Sequence, residues 1–415
     1  MSIKIKMTII LAAFLVISLE VQAQKRPELA KTAPMGWNSW NWFGKEDINE
    51  QIVKETIDAM ATHGLRDAGY NYVVIDGGWR DNKLGSNGEL LAHPTKFPHG
   101  IKVLADYAHS KGMKLGIHVV PGTLDCGKDP VGAFGYEEVH LKQFEDWGVD
   151  MIKLDQCLLT QDPCATCKKR PSGWSEETIK DTYWKWSQLL NNSDSNIMFS
   201  ISAYRSRDWY PEMCNMARTT TDIQSRIVKA GAFFNPPDSH KVRASSVMGI
   251  AELNNTYAHA AGHGYWNDPD MLVVGDQGLS QNEQVSHFAL WCVMTSPLFL
   301  GNDVRNMEAF EKELILNKEM IAINQDMTEQ GRLIQNKDNT QVWAKKMIDG
   351  KVALLFLNLD RNGARKISLN LKDIGFNKKV SVRDVINHKD LGMFKKSIDQ
   401  TAETNQCRFV VVSAL

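Results

Sequence analysis

The chain has 415 residues, and its 48 Lys and Arg nearly balance 49 Asp and Glu for a formal net charge of −1, which argues against a nucleic-acid binder. With 43% hydrophobic and 23% charged residues the composition is globular and excludes a disordered chain. Seven cysteines in this length are too few for a disulfide scaffold.

Lys4 and Lys6 precede an apolar run from Met7 to Leu19, and Val21-Gln22-Ala23 supplies small residues for cleavage. That run is shorter than the roughly 20 residues a bilayer requires. Residues 1–23 therefore read as a signal peptide, and no other apolar run reaches membrane-spanning length. The expectation is a secreted or periplasmic protein, in an oxidising compartment and without a membrane segment after cleavage.

From Ala33 to about Gln325, short β-branched runs alternate with amphipathic stretches. Buried-strand patterns occur at Tyr70–Asp76, Lys114–Val120, Asp150–Asp155 and Ile197–Ser202. Between them, Ile48, Ile52, Val53, Ile57 and Met60 share a helix face before Gly64. Ile101, Leu104, Ala105 and Ala108 repeat the pattern before Gly112, as do Val139, Phe144 and Trp147 before Gly148. This rhythm predicts βαβ units and a (β/α)8 TIM barrel over residues 24–328. An open doubly wound sheet is the alternative, but no Gly-rich phosphate fingerprint follows the early strands. Past Gln330 the period changes to two, with a hairpin signal at Asp349-Gly350. Residues 329–415 are expected to form a small antiparallel β-sandwich domain.

Chemistry in a barrel sits at the C-terminal ends of the strands. Those ends read Trp37, Asn38 and Trp40, then Asp76, His118, Lys153 with Asp155, Ser202, Asp222, and Trp266 with Asp268 and Asp270. Carboxylates beside tryptophans suit glycoside hydrolysis, because carboxylates supply acid, base or nucleophile and indole faces pack on the apolar face of a sugar ring. Taken singly, a strand-end Asp is often a helix cap and a Trp is often core.

Three strings are more specific: Ala33-Pro34-Met35-Gly36-Trp37-Asn38-Ser39-Trp40-Asn41, Lys153-Leu154-Asp155-Gln156-Cys157, and Trp266-Asn267-Asp268-Pro269-Asp270-Met271-Leu272. Together they resemble glycoside hydrolase family 27, the α-galactosidase and α-N-acetylgalactosaminidase family, over nearly the whole chain. The resemblance implies that Asp155 is the nucleophile and that Asp222, four residues after Arg218, is the acid/base. It further implies that Trp37 forms a floor beneath the sugar, that Lys153 binds its hydroxyls, and that Arg218 and Asp270 hold the ring near C2 and C3. Asp76, His118, Ser202 and Trp266 complete the expected binding set. Lys153 lies two residues from Asp155, so both can face the mouth from one strand and the ammonium keeps the carboxylate ionised. Asp222 must begin protonated, which calls for burial or a nearby carboxylate. The family also implies a Cys126–Cys157 disulfide and, because the partner position of Cys214 is Ile201, a thiol at Cys214. Cys164 and Cys167 suggest a small loop disulfide rather than zinc, and Cys292 sits in an apolar helix as core. No cofactor or metal is implied.

Departures from the family pattern fall on the sugar pocket. The second strand carries Asp76-Gly77-Gly78-Trp79 where two adjacent Asp are usual, so one of the carboxylates toward C4 and C6 is missing. A Tyr expected at the end of the third strand is His118, and Ser202-Ala203-Tyr204 matches neither specificity signature after the fifth. The reading is a retaining glycosidase, foremost an α-galactosidase acting on oligo- or polysaccharides. The alternatives are a relative cleaving β-L-arabinopyranosides or α-N-acetylgalactosaminides, and a carbohydrate-binding protein on a lapsed barrel. Retention of both Asp155 and Asp222 speaks against the last.

Overall fold

The computed structural model describes residues 26–157, 159, 169–170, 173–223, 234–235, 245–275 and 278–415. The expected signal peptide and the Cys164–Cys167 pair lie outside them. Eight short strands form one parallel sheet: β1 (Met35–Asn38), β2 (Tyr72–Ile75), β3 (Lys114–Val119), β4 (Met151–Asp155), β5 (Met198–Ser202), β6 (Met216–Arg218), β7 (Trp266–Asp268) and β8 (Leu298–Leu300). Each pairs with its neighbour in chain order from β1 to β7, and β1 also pairs with β8, so the sheet curls. Closure falls just beyond β7. There Leu272 bridges Leu300 in parallel, donating to Phe299 O (2.7 Å) and accepting from Gly301 N (3.0 Å). The result is a (β/α)8 barrel.

Alternate residues of a strand share a face, and the strands use this period to grade the barrel interior. Tyr72, Met151, Met198, Met216, Trp266 and Phe299 lie at or near the start of their strands and form one apolar cluster at the barrel floor. The positions two and four further on become Lys153 and Asp155 on β4, Ser200 and Ser202 on β5, and Arg218 on β6. Gly36 permits a close approach at the floor, since a Cβ there would lie 2.3 Å from Tyr72 O. Helices Glu50–Thr62, Lys102–Ser110, Glu137–Trp147 and Glu176–Asn192 follow β1 to β4. Gly64, Gly112 and Gly148, read as stop signals, all take positive φ (81°, 73° and 73°), the left-handed conformation that glycine adopts without a Cβ penalty.

The second unit is an antiparallel sandwich. Its strands are β9 (Arg332–Lys337), β10 (Thr340–Lys346), β11 (Val352–Asn358), β12 (Arg365–Asn370), β13 (Val380–Asp384), β14 (Lys389–Phe394), β15 (Ser397–Ala402) and β16 (Cys407–Ala414). Six form a sheet in the order β9-β10-β11-β16-β13-β14, and β12 pairs with β15. The Asp349-Gly350 turn joins β10 to β11 as the sequence suggests. Strands β9, β14 and β15 carry no clear apolar alternation; β9 and β14 lie at the sheet edges and expose most of their side chains. One face of the large sheet buries Val342, Leu354, Phe356, Val380 and Val410 within the sandwich. The opposite face turns Trp343, Leu355, Leu357 and Phe409 into the core shared with the barrel and with helix Gln281–Val293.

Lys345 on β10 pins this junction. It is fully buried, and its Nζ donates to Thr295 Oγ1 (2.6 Å), Asp326 O (2.7 Å) and Glu329 O (2.6 Å). Lys345→Met leaves these acceptors without their donor, an expected loss of about 1–3 kcal/mol. A lower urea midpoint at unchanged slope checks this; an unchanged midpoint contradicts it.

Candidate active site

A cavity opens at the C-terminal ends of the barrel strands. Its walls come from the ends of β2 to β6 and from the segments after β1 and β7.

Asp155 ends β4 and is 6% exposed. Its Oδ1 accepts from Tyr204 Oη (2.6 Å) and from Cys157 N (2.9 Å), while Oδ2 faces His118 Nε2 at 3.8 Å. Burial alone would raise its pKa. His118, Lys153 and Tyr204 reverse that and hold the carboxyl well below the usual carboxylate range. Lys153 donates to Asp76 Oδ2 at 2.7 Å. Burial works against its charge, but Asp76 and Asp155 prevail and keep the ammonium. Asp76 also accepts from Asn38 Nδ2 (3.0 Å); despite its burial it is lowered to about 2, chiefly by Lys153.

A second cluster gathers on Arg218, which ends β6 and is 2% exposed. Its Nη2 lies 2.9 Å from Asp270 Oδ2 and 3.1 Å from Asp222 Oδ1. Asp270 takes φ 87°, a conformation costly for a residue with a Cβ and typical of functional sites. Surrounding bonds hold it there: Asp270 N donates to Asp268 Oδ1 (2.8 Å), Met271 N and Ile223 N donate to its carboxyl (2.8 Å each), and Trp291 Nε1 donates to its carbonyl (2.8 Å). Burial raises Asp270 to about 6 against the pull of Arg218, with Asp222 and Asp268 adding to the rise. Asp222 itself is 65% exposed in its side chain. The burial expected around it is not met among the described residues, and the neighbouring carboxylate is Asp270 on the same guanidinium.

Asp76, His118, Lys153, Asp155, Arg218, Asp222 and Asp270 all line the cavity. Three expected binding residues do not. Trp266 begins β7 instead of ending it, so period two turns its ring to the floor, where Nε1 donates to Ala30 O (2.8 Å). Trp37 is wholly buried with its indole N–H on Asn302 O (2.8 Å), and Trp40 presents the ring to the cavity. Ser202 pairs in register with Asp155, but its Oγ is buried and finds no hydrogen-bond partner among the described residues. Tyr204, two residues further on, was not identified from sequence. Its φ of 60° swings the ring back over β4, and nothing in Ala203-Tyr204-Arg205 announces that turn. The Cys126–Cys157 disulfide is present, with Cα atoms 5.0 Å apart, and ties the segment after β3 to the end of β4. Cys214 and Cys292 are buried and outside any disulfide.

A barrel whose mouth holds a buried anionic carboxylate, with a second carboxylate exposed on the same cavity and cations between, has the equipment of a glycosidase. Comparison with known proteins agrees. Residues 32–326 match the family described as Alpha galactosidase A, and residues 337–412 match the alpha galactosidase C-terminal beta sandwich domain. The chain belongs to glycoside hydrolase family 27. Among its relatives, Alpha-galactosidase 2 of Arabidopsis thaliana is 37% identical over 391 residues, covering 93% of this chain and 90% of that protein. The crystal structure of alpha-galactosidase I from Mortierella vinacea superposes with a TM-score of 0.84 at 32% identity, covering 94% of this chain and 98% of that one. A β-L-arabinopyranosidase of the same family from Geobacillus stearothermophilus shares the fold, with a TM-score of 0.77 at 23% identity over 94% of this chain and 98% of that one.

Tyr204 is half-buried, and the desolvation of its hydroxyl with the adjacent Asp155 pushes its pKa up, so it remains a donor. Tyr204→Phe removes a hydrogen bond to a charged group, worth about 1.5–3 kcal/mol. The expected result is a loss of about tenfold to a hundredfold in kcat. The acid limb of the pH–rate profile should also move to higher pH, because the anion of Asp155 loses a donor. Unchanged kcat and an unmoved acid limb contradict this role.

Proposed function

We propose that this chain is a retaining α-galactosidase that releases terminal α-linked galactose from oligo- or polysaccharides by double displacement. The observation that carries the reading is Asp155, a buried carboxylate held ionised by His118, Lys153 and Tyr204 at the mouth of the barrel. The identity with curated α-galactosidases over most of the chain supports the glycone.

In this mechanism the Asp155 carboxylate attacks the anomeric carbon, and the C–O bond to the leaving group breaks as Asp222 gives that oxygen a proton. A galactosyl ester on Asp155 results. Asp222, now a base, takes a proton from water; the water oxygen attacks the same carbon and Asp155 departs as carboxylate. This double inversion retains configuration and requires the two carboxyl groups about 5–5.5 Å apart, against roughly 6.5–9.5 Å for inversion. Asp76, Lys153, Arg218 and Asp270 bind ring hydroxyls through charge-assisted hydrogen bonds. No cofactor takes part, since the nucleophile is already an anion. The enzyme acts outside the cytoplasm after loss of residues 1–23. The disulfide supports this location, and among the described residues no helix is long and apolar enough to cross a membrane.

Turnover of nitrophenyl α-D-galactopyranoside within a panel of nitrophenyl glycosides tests the activity. Asp155→Asn should retain at most a few per cent of it, because an amide does not attack the anomeric carbon. Asp222→Ala should slow poor leaving groups far more than activated aryl ones. Equal loss on both classes assigns Asp222 to binding instead.

One observation favours a second substrate, β-L-arabinopyranoside, which is galactose without its C6 hydroxymethyl. A Cβ at position 77 would lie 3.2 Å from the Trp40 ring, so an aromatic edge stands where a family member places a carboxylate. Arg80 does not refill the gap with a free guanidinium, because Nη1 donates to His118 O (2.9 Å) and Nη2 faces Asp125 at 3.6 Å. An apolar wall gives the C6 hydroxyl no charged acceptor. The expected kcat/KM preference for the α-galactoside over nitrophenyl β-L-arabinopyranoside is below a hundredfold. A larger preference refutes the argument from Gly77.

A further inference from the structure

One face of the cavity holds a set of groups that hydrolysis does not use as a set. His118, Cys126, Asp155 and Cys157 each offer one donor atom, and the four atoms all lie within 4.8 Å of one another. In the oxidised enzyme the two sulfurs are bonded to each other. Once reduced, they become two thiols beside an imidazole and a carboxylate, which is a complete Cys2HisAsp ligand set. A tetrahedral zinc ion, with Zn–S about 2.3 Å and Zn–N or Zn–O about 2.0–2.2 Å, spaces its donors about 3.3–3.8 Å apart. His118 Nε2 and Asp155 Oδ2 already stand 3.8 Å apart. The other imidazole nitrogen, Nδ1, is buried and has no hydrogen-bond partner among the described residues.

We propose that the reduced enzyme binds Zn2+, or another thiophilic divalent cation, through Cys126, Cys157, His118 and Asp155, and that the bound ion silences the glycosidase. The second half rests on Asp155 being the nucleophile; the first does not. The chemistry balances with an external reductant such as a water-soluble phosphine. The phosphine takes the oxygen of one water and becomes a phosphine oxide. The S–S bond accepts the two electrons, and the two protons of that water leave both sulfurs as thiols. Zn2+ then displaces those two protons and binds the thiolates. Once a chelator removes the metal, a small-molecule disulfide re-forms the bond by thiol–disulfide exchange and leaves as two thiols, so the site switches with redox state.

Cobalt is the probe, because tetrahedral Co2+ on thiolates gives a sulfur-to-metal charge-transfer band and intense visible bands. The whole protein is reduced with phosphine, freed of it, and titrated with Co2+. The expected result is one equivalent bound with both band types, bleached by Zn2+, and no bands in the oxidised protein. Activity should fall in parallel with metal bound, and return with a chelator. The double variant Cys126→Ser/Cys157→Ser keeps Cys164 and Cys167, so it tests whether those thiols are the ligands instead; it should show no bands. His118→Tyr should weaken cobalt binding at least tenfold. Absence of the bands in reduced wild-type protein, or their persistence in the double variant, overturns the site. Bands with undiminished activity overturn the inhibition. If the oxidised enzyme cleaves no galactoside, the substrate reading fails while the cobalt titration still decides the site.

Discussion

A carboxylate removed from water survives as an anion only where cations and hydrogen-bond donors replace the lost solvent. The mouth of this barrel is organised by that requirement at Asp155. The Lys153 ammonium stands two residues away on the same strand, Tyr204 donates from beyond β5, and His118 faces the free oxygen from β3. Lys153 in turn must not be left as an unpaired buried cation, and Asp76 from β2 meets it at 2.7 Å. Four strand ends are therefore bound into one network of opposite charges and hydrogen-bond partners. Removing any one member leaves its neighbour unpaired in a low dielectric, which is why such networks fail as units.

The opposite rim repeats the logic with one cation between two carboxylates. Arg218 is almost fully buried, yet Asp222 on it is largely exposed and Asp270 is not. Two acids sharing one guanidinium in such different surroundings are suited to different work, one fixed in place and one open to solvent and to a leaving group. Asp270 owes its position to a strained backbone that Trp291 supports from helix Gln281–Val293. The same helix packs against the β-sandwich. The second unit thus buttresses the wall that carries Asp270, without itself lining the cavity.

The exchange of His118 and Tyr204 shows how one physical task moves between strands. A phenol beside the nucleophile is the family's usual device at the end of the third strand. Here the imidazole occupies that strand end, and the phenol returns from the fifth through a left-handed turn at Tyr204. The donor to Asp155 is kept while its origin in the chain changes. The imidazole then stands within reach of both sulfurs of Cys126–Cys157, which makes the neighbourhood of the disulfide chemically richer than hydrolysis demands.

Much of this was legible in the sequence, because its signals are local. Period-two and period-3.6 patterns depend on neighbours a few positions away, so strands β2 to β5, the helices ending at Gly64, Gly112 and Gly148, and the Asp349-Gly350 hairpin could be read directly. The Lys153-Leu154-Asp155 spacing likewise fixed two groups on one strand face. Strands β9 and β14 were not legible, since exposed strands carry no burial pattern to betray them, and β15 buries only Ile398 and Ala402 among polar residues. What tertiary structure alone decided was direction and reach. Trp266 turns to the floor because β7 starts at that residue, Trp37 is sealed beneath Asn302, and Trp40 fills the space beside Gly77. Tyr204 reaches Asp155 across 49 positions of sequence. No local pattern encodes such contacts, because they arise only when strand ends from distant parts of the chain are curled onto one rim.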